Sequence, residues 1–119
     1  MKHTMLFACS LVALASFHAG AQSAAYKSCL AHANGDSNQR FACNQAEMQR
    51  QDKRVDTDYR QLQMRAQHDP QKQADIRTDQ RDWLQHRDFA CSKPDQSEKL
   101  PCIIRETAAK ADQLDARLH

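Results

Sequence analysis

The stretch SNQRFACNQAEMQRQDKRVDTDYRQLQMRAQ, residues 37–67, decides the fold. Phe41, Met48, Val55 and Leu62 recur at seven-residue steps, Tyr59 and Ala66 join the same seam, and the surroundings are mostly polar. That period belongs to an amphipathic helix, and no strand alternation competes with it. The spacing predicts a helix from Ser37 or Asn38 to about Gln67. Upstream, the turn-rich Asn34-Gly35-Asp36-Ser37 separates it from a first helix over Ala24–Ala33, with Tyr26 and Leu30 on one face. Downstream, Asp69-Pro70 joins a capping residue to a first-turn proline and opens a third helix. That helix carries Ile76, Trp83 and Ala90 at seven-residue steps and ends near Cys91. Pro101 is read as the start of a fourth, with Ile103, Ile104, Thr107, Ala111, Leu114 and Leu118 inward. Short connections make neighbours antiparallel, so the chain is expected to be all-α: an antiparallel up-and-down bundle of about four helices.

Residues 1–21 stand apart. Lys2 precedes the apolar run Met5–Phe17, and Ala19-Gly20-Ala21 offers the small-x-small pattern that signal peptidase favours, with cleavage before Gln22. The run is too short to span a bilayer. Cys9 lies inside it, so a lipoprotein anchor is disfavoured. The expectation is an exported protein with one domain over residues 22–119. The whole chain has 119 residues and a formal charge of +2, and losing Lys2 leaves +1. So even a balance argues against a nucleic-acid binder or a polybasic membrane binder.

Large apolar residues are sparse after residue 21, so cross-links are expected to matter, and an exported chain can have them. Four cysteines remain, which allows three pairings. Cys29 and Cys43 lie symmetrically about Asp36, and Cys91 and Cys102 straddle the polar stretch Ser92–Pro101. In a helical hairpin such positions face each other, which favours the local bridges Cys29–Cys43 and Cys91–Cys102. A four-cysteine zinc site is the rival, but it lacks the usual C-x-x-C spacing.

Asp52, Asp56 and Tyr59 fall on one strip of the second helix, and Gln80, Trp83 and Arg87 on one strip of the third. Polar groups on an apolar seam predict a structural cluster in which Arg87 forks onto Asp52 or Asp56 under the cover of Trp83. A ligand cleft lined by the same groups is the other reading. Carboxylate pairs at Asp52/Asp56, Asp75/Asp79 and Asp79/Asp82 have spacings that chance supplies in a chain with 15 acidic residues. His32, His68, His86 and His119 include no pair at i, i+3 or i, i+4, so no helix presents a two-histidine metal site. The serines lack nucleophile-elbow glycines. No enzyme, no metal and no cofactor are expected.

The segment Gln80-Arg81-Asp82-Trp83-Leu84-Gln85-His86-Arg87-Asp88-Phe89-Ala90-Cys91 resembles the Q-R-x-W-L-x-x-R-D-x-x-C signature of the LprI-type lysozyme-inhibitor family. Asp52-x-x-Val55-Asp56-x-x-Tyr59 is similar to that family's D-x-x-L-N-x-x-Y stretch. Cys29, Cys43, Cys102, Thr107 and Leu114 extend the likeness over about residues 26–118. Asp56 and Val55 stand where the family usually has Asn and Leu, and Lys110 where Arg is common. Lys110 lacks the planar two-pronged geometry of Arg. The resemblance implies a small periplasmic or secreted bacterial protein whose partner is a lysozyme or another muramidase. Inhibition would follow from a protruding segment that occludes the enzyme's cleft. The candidate segments are the two bridged turns, Asn34–Asn38 and Ser92–Pro101, the second carrying Lys93 and Lys99. The alternative is a structural or adaptor protein of the envelope with no action on lysozyme.

Overall fold

The computed structural model describes residues 22–119; the expected signal peptide, with Cys9, lies outside them. Those residues form four helices: α1 (Ala24–Ala33), α2 (Ser37–Arg65), α3 (Pro70–Ala90) and α4 (Gln96–Leu118). Each starts in the same way. The side-chain oxygens of Ser23, Asp36, Asp69 and Asp95 accept from the amides of Tyr26, Gln39, Lys72 and Ser97 at 3.0, 2.8, 3.0 and 2.9 Å. These caps satisfy amides that have no partner inside the helix. α1 closes through two left-handed residues, Asn34 (φ 47°) and Gly35 (φ 84°), and the Asp36 amide donates to the Ala33 carbonyl at 2.8 Å. Glycine adopts the second of these conformations without strain.

One boundary differs from the sequence reading. α4 begins at Gln96 rather than Pro101, because Asp95 caps it and starts the helix more than a turn earlier. Pro101 therefore sits inside the helix, where it cannot donate to the Ser97 carbonyl. A single forfeited ladder bond is outweighed by the cap and by the burial of the turns that follow.

Consecutive helices are antiparallel, so α2 and α4 run in the same direction, and this pair packs most extensively. One apolar cluster joins Val55, Tyr59, Leu62 and Ala66 to Ala111, Leu114 and Leu118, with Ile76 of α3 included and Trp83 against it. Toward the other end, Tyr26, Cys43 and Ile104 form a second cluster, and Cys91, Cys102 and Ile103 a third, with Met48 touching both. The six positions expected to face inward on α4 are all buried. Ala108 and Ala111 on the same face keep no exposed surface, and their small side chains let α2 approach. α3 is the lightly held helix. Ile76 is its one buried residue, Trp83 is half-buried, and Ala90, expected inward, is exposed.

Both expected bridges are present: Cys29–Cys43 ties α1 to α2 with Cα atoms 5.7 Å apart, and Cys91–Cys102 ties α3 to α4 at 5.6 Å. Among the described residues, no helix is long and apolar enough to cross a membrane.

Replacing Cys91 and Cys102 together by alanine is expected to lower the unfolding free energy by about 3 kcal/mol, as loop closure of this length implies. Urea denaturation measures it. A loss below about 1 kcal/mol would mean that packing alone already closes the α3–α4 hairpin.

Candidate functional site

Two features of the bundle bear on function: a polar layer between α2, α3 and α4, and the end where both disulfide-closed hairpins turn. In the layer, Arg87 is largely buried. Its Nη1 lies 3.6 Å from Asp52 Oδ1 and donates to Thr107 Oγ1 at 3.4 Å, while Nη2 lies 3.1 Å from Asp88 Oδ1. The guanidinium stands 5.2 Å over the centroid of Trp83. Further along α3, Asp79 Oδ2 accepts from the Tyr59 hydroxyl at 2.8 Å and from Lys110 Nζ at 3.1 Å, with Arg117 at 3.6 Å. The Lys110 ammonium also lies 5.7 Å from the Tyr59 ring and 6.0 Å from Trp83, so Trp83 has a cation near it from each of two helices.

The structure thus brings Asp52, Tyr59, Trp83 and Arg87 into the layer. Asp56 is not part of it; it is exposed and paired with Arg60 at 3.0 Å. A four-residue step turns a side chain about 40° around the helix axis, which carries Asp56 past the edge that Asp52 still occupies. Gln80 is half-buried and takes no part in these contacts. Sequence reasoning did not place Asp79 or Arg117 in the cluster; it expected Thr107 inward and singled out Lys110 only as a departure from the family pattern. Their signal was register: Asp79 lies one turn before Trp83, and Lys110 and Arg117 flank Ala111, Leu114 and Leu118.

Burial alone would push the Asp79 carboxyl up, but the Tyr59 and Lys110 hydrogen bonds outweigh it and hold it below the usual range. At Asp52 burial wins over the attraction of Arg87, and the carboxyl is raised. Burial, together with the hydrogen bond to Asp79, pushes the Tyr59 hydroxyl well up, so it remains a donor.

A second network was not foreseen. Glu47 on α2 is completely buried. Its carboxylate accepts from the Ser23 hydroxyl, from the Ser23 amide at 3.2 Å, from Gln51 Nε2 at 2.6 Å and from Arg50 Nη2 at 3.2 Å. Burial opposes its charge, yet these donors hold the carboxyl below its ordinary value. Beside it, the Tyr26 hydroxyl donates to Asn44 Oδ1 at 2.7 Å. Asn44, Glu47, Gln51 and Val55 follow i, i+3, i+7, i+11, so polar residues in core register were the available clue.

At the stapled end, the α1–α2 turn and the start of α4 enclose a cavity of about 370 Å³, lined by Gly35, Arg40, Phe41, Asn44, Gln96 and Ser97 among others. The two candidate turns are therefore one surface. The second is shorter than expected: the connector is residues 91–95, and Lys99 stands half-buried on the first turn of α4, while Lys93 is exposed in the connector. Neither lysine makes a salt bridge among the described residues. A larger groove of about 630 Å³ lies elsewhere on α2, where Arg50 and Arg54 are already engaged by Glu47 and Asp112. Among the described residues no group of three or more His, Cys, Asp or Glu could hold a metal.

The described residues thus define a small helical bundle with two hairpin disulfides and an internal polar layer. The family model described as "Lysozyme inhibitor LprI" matches residues 29–114, and the chain belongs to that family. Neither the curated proteins nor the solved structures gave a match. The family is described by lysozyme inhibition and not by a catalytic activity.

Two predictions concern the polar networks. Asp79→Ala strands the buried Lys110 and the Tyr59 hydroxyl and is expected to cost about 2 kcal/mol, with Asp79's partial exposure tempering the loss. Lys110→Met keeps volume and leaves Asp79 its Tyr59 and Arg117 partners, so it should cost less than about 1 kcal/mol. Denaturant titration of both variants separates these outcomes. In acid, Glu47 and Asp79 act together, because both folded values lie below the ordinary 4.5 and 3.8. Their contribution is complete above those values and is lost as pH falls through the lower folded ones. Thermal melts across that window should therefore show falling stability, with a shallower fall in Glu47→Gln.

Proposed function

We propose that this chain is exported with removal of residues 1–21 and acts without catalysis, binding a lysozyme-like peptidoglycan hydrolase and blocking its cleft. The single observation that carries the reading is the family match over residues 29–114. Support comes from the stapled end. A bridged loop loses little freedom on binding, so its contacts translate more fully into affinity. Glycosidases of this kind work with a pair of carboxylates. Lys93, held in a short connector closed by Cys91–Cys102, is a cation suited to approach such a pair, and Lys99 stands one helical turn into α4.

The experiment is a titration of oxidised residues 22–119 into lysozymes of several structural classes, with cell-wall lysis and binding followed together. Saturable inhibition near one-to-one is expected. The double reversal Lys93→Glu, Lys99→Glu should weaken it about tenfold or more, mainly by slowing association. Unchanged inhibition by the double variant removes the lysines from the mechanism. No inhibition of any class by the unaltered protein overturns the function, and capture on an envelope partner would then favour the adaptor reading.

A further inference from the structure

The two disulfides close hairpins of similar length, but they differ in cover. Cys91 keeps no exposed surface and Cys102 keeps 7%, and both cluster with Ile103, with Met48 against them. In the other bridge Cys43 is equally buried, at 2%, whereas Cys29 is only half-buried. Cys29 and Cys43 both line a concavity of about 560 Å³ between α1 and α2. The side chains beside them are short, Ala25, Ser28 and Ala42. His32 lines the same concavity, and its Nδ1 donates to the Ser28 carbonyl of its own helix at 2.7 Å. Exchange begins when a thiolate reaches one sulfur of a disulfide, so access decides which bridge reacts and at which sulfur.

The accessible bridge also secures the least anchored helix. α1 has ten residues, of which only Tyr26 and Ala33 are buried. Besides the bridge, it is held by the packing of Tyr26 against Cys43 and Ile104, by the Tyr26 hydroxyl on Asn44, and by the Ser23 donors to Glu47. Few buried contacts and a short helix place such a segment at the low end of local stability once its cross-link opens.

We propose that Cys29 is a thiol-exchange site: a small external thiol or dithiol opens the Cys29–Cys43 bridge at the Cys29 sulfur and loosens α1, while Cys91–Cys102 stays closed. The external thiolate attacks Cys29 Sγ, a new S–S bond forms there, and the bond to Cys43 breaks. Cys43 leaves as a thiolate and takes a proton from water. A second external thiolate, or the other sulfur of a dithiol, then attacks the external sulfur of the mixed disulfide and frees Cys29. The bridge gains two electrons, and the external thiols lose them as they join in a disulfide. Attack at Cys43 is blocked by its burial among Tyr26 and Ile104. The site requires no hydrolase and stands apart from the inhibitor reading.

The test treats oxidised residues 22–119 with dithiothreitol, quenches samples in acid over time, alkylates free thiols and locates them by peptide mass mapping. Cys29 and Cys43 are expected to appear as thiols about tenfold or more faster than Cys91 and Cys102. With glutathione in place of the dithiol, the mixed disulfide should map to Cys29. Amide hydrogen exchange on the species that retains only Cys91–Cys102 should be faster over residues 24–33, with residues 107–118 still protected. The variant Cys29→Ser/Cys43→Ser should reproduce that exchange pattern, which assigns it to the missing bridge rather than to the reagent. Equal rates for the two bridges, or earlier opening of Cys91–Cys102, overturns the proposal. A mixed disulfide on Cys43 overturns the choice of sulfur, and unchanged exchange over residues 24–33 overturns the loosening of α1.

Discussion

The parallel contact between α2 and α4 is the constraint on which the rest of this bundle depends. Short connections force each helix to reverse its predecessor, yet the two helices with the best apolar stripes point the same way. Val55, Leu62 and Ala66 on one side meet Ala111, Leu114 and Leu118 on the other. α3 must therefore return along this pair, supplying one buried isoleucine and little more apolar surface. What it contributes instead is directional. Arg87 reaches Asp52 and Thr107, and Asp79 reaches Tyr59, Lys110 and Arg117, so α3 touches both parallel helices at two heights. Hydrogen-bonded charges of this sort add little net stability, but a shift of α3 by one turn would separate every one of them. We read the layer as the device that fixes the register of a weakly packed helix.

The two disulfides serve a different need. α1 is only ten residues long and packs mainly on α2, and the first turns of α4 carry Pro101, which lacks a ladder donor. A bridge lies close to each of these weak points. Both hairpins consequently keep well-defined turns at the same end, and the surface there can be rigid even though the core thins out toward it.

Much of this was legible beforehand, for physical reasons that differ by element. The α2 seam, the Asn34-Gly35 stop and the Asp69-Pro70 start are local signals, and the helices follow them closely. The bridges were readable because equidistance from a turn is a geometric property of hairpins. Pro101 misled because its ring is a strong local marker, whereas the Asp95 cap is a weaker one that prevailed through the packing beyond it. The polar layer was half legible. Arg87 and Trp83 stood out on a motif, but Asp79 and Lys110 look like ordinary surface residues until a third helix faces them. Glu47 was legible only in its core register on α2: its partner Ser23 belongs to another helix's cap, and no periodicity on α2 reveals what will cover it.

That last contact carries a consequence for the amino-terminal end of the bundle. The residue that starts α1 also supplies two of the hydrogen bonds to a completely buried carboxylate. Removing Ser23 would take away a helix cap and two of the donors to Glu47 in one step, leaving the buried carboxylate to Gln51 and Arg50. The start of α1 and the burial of a charge on α2 thus depend on the same residue.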